Sequence, residues 1–292
     1  MAEPQYNILP MSRDDLDTAI AWAAAEGWNP GLYDAKSFFA ADPSGYWMGV
    51  LEGEPIASIS AVKYGETFGF IGFYIVKPEY RGRGYGYALW QAGLASLAGR
   101  AIGLDGVVEQ QPIYIKSGFK LAHRNIRYAG VTGGDRPSSE ISSRLESACS
   151  LVPLSAIAIP RILEYDRAFF PTERTAFLQH WIVQPHSHAL GVVRDGILQG
   201  YGVIRPCQIG YKIGPLFADS APIADAIFYH LISTVEADRP FYLDVPEINP
   251  DAVHLAESHD MRVVFETARM YAHSLPDLSL SRTFGVTTFE LG

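Results

Sequence analysis

An arginine- and glycine-rich segment is the part of this chain whose residue types and spacing point most clearly to chemistry. Alternating glycines let several backbone N–H groups approach one point, and arginines add positive charge. If a helix follows, its N-terminus presents further unpaired N–H groups and the positive end of its dipole, which suits a phosphate. We therefore expect a pyrophosphate-binding loop made by Arg81, Gly82, Arg83, Gly84, Tyr85 and Gly86.

The elements around this loop are predicted from residue pattern. A strand over residues 67–76 ends before Pro78, which cannot donate to a sheet ladder, and an apolar helix over residues 84–98 follows the loop. The dinucleotide-binding pattern G-x-G-x-x-G fails, because its last position falls on Tyr87 or Leu89. The P-loop pattern fails as well, because no Gly-Lys-Ser or Gly-Lys-Thr follows.

With these elements in order, the loop resembles the acetyl-CoA-binding motif of the GCN5-related N-acetyltransferase (GNAT) superfamily. Arg81, Gly84 and Gly86 match the motif, and residues 113–119, with Tyr114 near their start, resemble the family's later tyrosine-to-Gly-Phe segment. The resemblance covers residues 6–130 closely. It implies that acetyl-CoA is the co-substrate and that no metal takes part.

The resemblance also implies a role for individual residues. The backbone of Tyr74, Ile75 and Val76 is expected to pair with the pantetheine arm, like a strand added to a sheet edge. Residues 81–86 are expected to bind the pyrophosphate through their amides. Tyr114 occupies the position of the family's general acid, and its phenol can protonate the departing thiolate.

A general base is also needed, because an amine must be uncharged to attack. Glu66, at the start of the third strand, is the predicted base, with Asp105 and Glu109 after the fourth strand as alternatives. Neither Cys149 nor Cys207 lies near the motif, which disfavours covalent transfer through a cysteine.

The second half repeats the order of elements of the first. Residues 189–204 match the hairpin of residues 47–62, and residues 241–244 match residues 102–105. The predicted fold is therefore α/β (α+β), with two tandem GNAT-like domains, each a mixed, mostly antiparallel sheet flanked by helices. The predicted boundaries are residues 1–130 for the acetyl-CoA-binding catalytic domain, 131–145 for a linker and 146–292 for a degenerate domain.

The second copy is predicted not to bind acetyl-CoA. The repeat places residues 223–228 at the loop position, where every glycine and both arginines are lost and Asp225 adds a negative charge. Ala256 falls near the position of Tyr114. This half is expected to shape the acceptor pocket, with candidate lining residues Trp181, Tyr201, Arg205, Tyr211 and residues 284–289.

Composition excludes several classes of function. The 292 residues carry a net charge of −9, which argues against a general nucleic-acid binder, and no apolar run is long enough to span a membrane. No signal peptide is predicted, so we expect a cytoplasmic protein with two reduced cysteines. His180, His186 and His188 lack further ligands at zinc spacing and are expected to lie in a surface loop.

The sequence thus predicts an acyltransferase that moves acetyl from acetyl-CoA to a primary amine of a small molecule by direct attack in a ternary complex. Two alternatives remain open: a protein that binds or senses acyl-CoA without chemistry, and an N-acetyltransferase of proteins or peptides. The acceptor amine and the oligomeric state are not determined by any motif.

Overall fold

The computed structural model describes residues 5–133 and 148–292. Within them, thirteen strands form one mixed, mostly antiparallel sheet, flanked by eight α-helices. The strands are β1 (Tyr6–Pro10), β2 (Tyr46–Leu51), β3 (Glu54–Tyr64), β4 (Phe68–Val76), β5 (Ala101–Val107), β6 (Lys120–Val131), β7 (Cys149–Pro153), β8 (His188–Arg194), β9 (Ile197–Pro206), β10 (Tyr211–Ala218), β11 (Pro240–Pro246), β12 (Arg262–Ala272) and β13 (Thr283–Gly285). The helices are α1 (Arg13–Ala25), α2 (Asp34–Ala41), α3 (Tyr85–Ser96), α4 (Gln111–Lys116), α5 (Ile159–Asp166), α6 (Thr175–Trp181), α7 (Ala221–Ser233) and α8 (Pro250–Ser258).

Local sequence signals account for most of these elements. Ser12 and Asp15 form a capping box at the start of α1. The helix α3 follows the glycine-rich loop as predicted, but it buries only one face: Leu89, Trp90 and Gly93 are buried, whereas Tyr87 is 68% exposed. An apolar helix surface therefore does not by itself predict burial on every side.

The two halves of the chain share one sheet because each gives its last long strand to the other. The sheet order is β1-β2-β3-β4-β5-β12-β6-β11-β10-β9-β8-β7, with β13 paired to β10. Strand β12, from the second half, lies antiparallel between β5 and β6. Strand β6, from the first half, lies antiparallel between β12 and β11. Neither half therefore completes its part of the sheet alone.

Two buried arginine–aspartate pairs join the exchanged strands. Arg269 on β12 stands opposite Asp105 on β5 and donates to both carboxylate oxygens at 2.9 and 2.6 Å. Arg127 on β6 stands opposite Asp244 on β11 and donates in the same way at 2.6 and 2.9 Å. Asp105 and Asp244 end the matching segments of the repeat, so the two pairs are equivalent and reciprocal.

The short strand β13 fills an opening in the second half. The parallel pairing of β10 with β11 ends at Ile213 and Leu243. Beyond that point β13 pairs with β10 at Leu216, and Val286 N donates to the Asp244 carbonyl on β11 at 2.9 Å. The residues aligned with the glycine-rich loop, 223–228, lie inside α7, so this half has a helix where the first half has a loop.

The predicted linker lies mostly outside the described residues, since residues 134–147 are not among them. Strand β6 extends to Val131, one residue into that linker. The division of the chain at residues 131–145 therefore stays a prediction. Both cysteines are free thiols, as predicted. In the described part of the chain, no helix has the length and apolar character that a membrane crossing requires.

Candidate active site

The candidate site lies where β4 and β5 separate. Their parallel pairing ends at Ile71 and Leu104, although β4 continues to Val76 and β5 to Val107. A bulge at Phe73, whose φ is 45°, changes the direction of β4 beyond this point. The cavity between the two strands has a volume of about 530 Å³. Its lining includes the predicted pantetheine-binding residues Tyr74, Ile75 and Val76.

The glycines of the loop serve two different purposes. Gly82 and Gly84 have φ values of 75° and 88°, and a Cβ on either would meet no atom within 4 Å, so backbone conformation selects glycine there. Position 86 has no room for a larger residue, because a Cβ there would lie 2.8 Å from Val76 Cγ2 and 2.9 Å from Tyr74 Oη. Gly84 precedes α3 without a side-chain cap, which leaves the first-turn N–H groups free for an anion.

The two loop arginines do not stand as free cations over the cavity. Arg81 lines it, but its Nε donates to the Val76 carbonyl at 2.8 Å and its guanidinium pairs with Glu26. Arg83 lies over the Tyr80 ring at 5.7 Å. Arg81 therefore fixes the loop against β4. Of the predicted cofactor-binding residues, Arg83 and Tyr85 are not among those that line the cavity.

Tyr114, the predicted general acid, lines the cavity from α4. Its ring packs against Gly106, where a Cβ would lie 2.2 Å from Tyr114 Cε2, and lies 5.5 Å from the Trp90 ring. Burial, and to a lesser extent Tyr74, raise the pKa of Tyr114 well above its ordinary value. Its hydroxyl makes no hydrogen bond with any described residue, so the site holds a neutral phenol with a proton available to a ligand.

The three candidate bases have different positions. Glu66 is exposed in the turn before β4, at the end of that strand opposite the loop, and Glu109 is exposed after β5; neither lines the cavity. Asp105 does line it, but Arg269 and Asn125 both donate to its carboxylate. Burial raises the pKa of Asp105 more than the Arg269 guanidinium lowers it.

A further carboxylate, Glu290, lines the cavity and was not predicted from sequence. It follows β13 in a segment that crosses the first half, and a Cβ on Gly72 would lie 2.0 Å from its carbonyl oxygen. Its side chain is buried and accepts a hydrogen bond from the Thr288 hydroxyl. The sequence feature nearest to Glu290 was the segment 284–289, predicted to line the acceptor pocket, which ends immediately before this residue.

The second half supplies part of the cavity wall, but mostly not through the predicted residues. Phe289 belongs to the predicted segment 284–289 and lines the cavity, as do Phe265 and Thr267 of β12. The other predicted lining residues do not: Trp181 and Tyr201 are buried in the core, Arg205 is paired with Asp34, and Tyr211 lies on β10. In residues 5–133 and 148–292, no cluster of three or more His, Cys, Asp or Glu residues could hold a metal ion.

Comparison with known families agrees with this geometry. A family model described as "Acetyltransferase (GNAT) family" matches residues 13–112, and one described as "Acetyltransferase (GNAT) domain" matches residues 162–285. The chain belongs to the GNAT family. It is a tandem member, with one GNAT-like unit in each half, and it is an acyltransferase.

Individual relatives resemble the whole chain. A holothin acyltransferase from Pseudoalteromonas sp. (strain SANK 73390) is 27% identical over 97% of this chain and 93% of the relative. A solved structure from Pyrococcus horikoshii has a TM-score of 0.80 at 22% identity, and the alignment covers 98% of this chain and 96% of that one. A tandem GNAT protein from the clavulanic acid biosynthesis pathway has a TM-score of 0.63 at 12% identity and covers 92% and 98%. The last two establish similarity of fold.

Proposed function

We propose that this protein is an N-acetyltransferase that moves acetyl from acetyl-CoA to a primary amine of a small molecule. The observation that carries the proposal is the opening between β4 and β5. Three features lie at one cavity: the edge of β4 that faces β5 and, among the described residues, has no strand partner beyond Ile71, the uncapped start of α3, and Tyr114. Acetyl-CoA is the co-substrate typical of the GNAT family, and its pantetheine arm, pyrophosphate and thioester match these three features in turn.

The chemistry follows from this placement. The backbone of β4 holds the pantetheine arm, and the N–H groups at the start of α3 hold the pyrophosphate. The amine nitrogen attacks the thioester carbonyl carbon, so a C–N bond forms and the C–S bond breaks. The amine gives up one proton to a carboxylate, and Tyr114 gives its proton to the departing thiolate. The products are the N-acetylated acceptor and free CoA.

Two carboxylates are candidates to accept the proton that the amine gives up. Asp105 and Glu290 both line the cavity, whereas Glu66 is exposed outside it. Asp105 already accepts hydrogen bonds from Arg269 and Asn125, so both of its carboxylate oxygens are engaged. Glu290 accepts from one hydroxyl and forms no ion pair with any described residue. We therefore assign the base to Glu290, in place of Glu66.

The test is a pair of tyrosine variants assayed for acetyl-CoA binding and for CoA release with an amine panel. We expect Tyr114→Phe to bind acetyl-CoA normally and to lower kcat about 100-fold, the effect of losing a positioned general acid. Tyr242→Phe, on β11 outside the cavity, is the matched control and keeps full activity. Tight acetyl-CoA binding without CoA release would instead identify a binding protein, and an unchanged rate for Tyr114→Phe would remove the acid assignment.

A further inference from the structure

Aromatic residues from outside the β4–β5 opening form part of the cavity wall. Trp28 comes from the loop before α2, Phe265 from β12 and Phe289 from the segment after β13. The wall therefore includes aromatic residues beyond those that a thioester alone requires.

The described residues that line the cavity offer an acceptor no unpaired cation. Among the described residues that line the cavity, the one basic side chain is Arg81, which lies at the loop and is paired with Glu26. The acidic residues Asp105 and Glu290 line the cavity instead. A carboxylate or phosphate on the acceptor would be desolvated beside like charges, whereas an ammonium group would be favoured before it loses its proton.

Few uncharged polar side chains line the cavity. Among the described lining residues these are Gln110 and Thr267, apart from the tyrosines Tyr74, Tyr87 and Tyr114. A sugar acceptor buries many hydroxyl groups, and each needs a hydrogen-bond partner to avoid a desolvation penalty. The wall is therefore suited to a flat, apolar body and poorly suited to a polyhydroxylated one.

A buried guanidinium holds the aromatic wall in place. Arg127 lies 4.8 Å from the Phe289 ring centroid and 5.6 Å from that of Phe265, and it donates to the Trp28 carbonyl at 2.7 Å. Asp244 fixes the guanidinium through two hydrogen bonds. One side chain thus contacts three parts of the wall, which preorganises it for a rigid ligand.

We propose that the acceptor is an aromatic or heteroaromatic primary amine without an anionic group, received by Trp28, Phe265 and Phe289. This inference rests on the proposed N-acetyltransferase function and narrows its substrate class. Arg127 is a positioning residue for this wall, because it contacts the wall and does not itself line the cavity.

The test compares aromatic amines with amines that carry an added carboxylate or that lack the aromatic ring. Tryptamine and tyramine are assayed against tryptophan and tyrosine, which add only a carboxylate, and against glucosamine, which replaces the ring by hydroxyl groups. We expect kcat/KM for CoA release to be at least tenfold higher for the two aromatic amines than for the other three. Equal or higher values for the amino acids or glucosamine would overturn the proposal, as would acetyl-CoA binding with no turnover of either aromatic amine.

Variants then locate the site. We expect Phe265→Ala to raise KM for the preferred aromatic amine about tenfold, with KM for acetyl-CoA within twofold of wild type. Val264→Ala, the neighbouring residue with a 54% exposed side chain, is the control and changes neither constant. Arg127→Lys is expected to raise the acceptor KM more than it lowers kcat, and Phe265→Leu repeats the test if an alanine variant fails to fold.

Failure of this inference is distinguishable from failure of the proposed function. If acetyl-CoA does not bind, the proposed function itself is wrong. If acetyl-CoA binds and is consumed with another class of amine, while Phe265→Ala leaves the acceptor KM unchanged, only the aromatic acceptor site is wrong.

Discussion

At the scale of single residues, the cavity is lined by most of the residues predicted for the donor side and by few of those predicted for the acceptor side. Glycine at positions 82 and 84 reflects local backbone geometry, and Gly86 a close contact with nearby Val76 and Tyr74, which sequence spacing captures. Glu66 shows the limit, because it precedes β4, whereas the part of that strand that lines the cavity begins at Ile71. At roughly 3.3 Å per residue, the step of five residues from Glu66 to Ile71 spans about 17 Å. Glu290 is brought in by tertiary packing, for which the sequence carries no local signal.

The anion-binding role of Gly84 gives a first prediction with a close control. Gly84 and Gly99 have φ values of 88° and 81°, and a Cβ on either has open space, so Gly84→Asp and Gly99→Asp impose similar backbone strain. Only the first places a carboxylate at the start of α3, beside the proposed pyrophosphate site. We expect its Kd for acetyl-CoA to rise at least tenfold, about 1.4 kcal/mol, in isothermal titration calorimetry. An equal loss in the Gly99 variant would show that strain, not charge, is responsible.

His123 gives a prediction of pH dependence. Burial, with a smaller contribution from Arg269, lowers its pKa from 6.5 to about 4. Between these values the unfolded chain binds a proton that the folded protein excludes, so the free energy of unfolding falls as pH drops from 6.5 towards 4. This residue accounts for about 2 kcal/mol of lost stability between pH 7 and pH 5.

Urea denaturation of His123→Gln at both pH values measures this effect. The variant is expected to lose less stability than wild type on acidification, by about that 2 kcal/mol. His254→Gln, at an exposed position of α8, serves as the control and keeps the wild-type response. Parallel pH curves for wild type and His123→Gln would contradict the assignment.

At the scale of elements, the repeat predicted the hairpin of β8 and β9 and the strand β11, because these segments match segments of the first half. The repeat did not predict β7, α5, α6 or β13, because none of them lies in a segment that was matched between the two halves. Strand β13 has three residues, too few for a periodic pattern, and it forms because β10 and β11 leave backbone groups unpaired. The structure therefore adds to the missing glycines a second reason to expect no acetyl-CoA site in this half, since β13 pairs with β10 beyond the end of the β10–β11 pairing.

This difference between the halves predicts the binding stoichiometry. We expect calorimetry to give one acetyl-CoA per chain, because only the β4–β5 opening has a free strand edge and a glycine-rich loop among the described residues. Gly84→Asp should then weaken all of the observed binding. A second binding event that survives in this variant would show that β13 can be displaced.

At the scale of the whole molecule, exchange of β6 and β12 makes the two halves one folding unit. The predicted domains, residues 1–130 and 146–292, would each leave the edge of β5 or β11 unpaired. The buried pairs Asp105–Arg269 and Arg127–Asp244 also cross between the halves. Removing one partner of such a pair costs about 3–5 kcal/mol.

A cleavage experiment tests this interdependence. With a protease site inserted between residues 134 and 147, we expect both fragments to elute together in size-exclusion chromatography after cutting, and to retain CoA release. Fragments produced separately are expected to aggregate, since each exposes a strand edge. The parent chain with an inert insertion of equal length is the control. Separation of the cut fragments into two folded species would contradict the shared sheet.

The strand exchange also sets an order of events during synthesis. Strand β5 emerges from the ribosome with β4, yet its other neighbour, β12, lies roughly 150 residues later and arrives on the order of ten to thirty seconds afterwards at ordinary translation rates. During that interval the first half has the edge of β5 unpaired and lacks Phe265, Phe289 and Glu290 of the cavity lining. Because the two halves form one folding unit, the cavity between β4 and β5 is completed only at the end of translation.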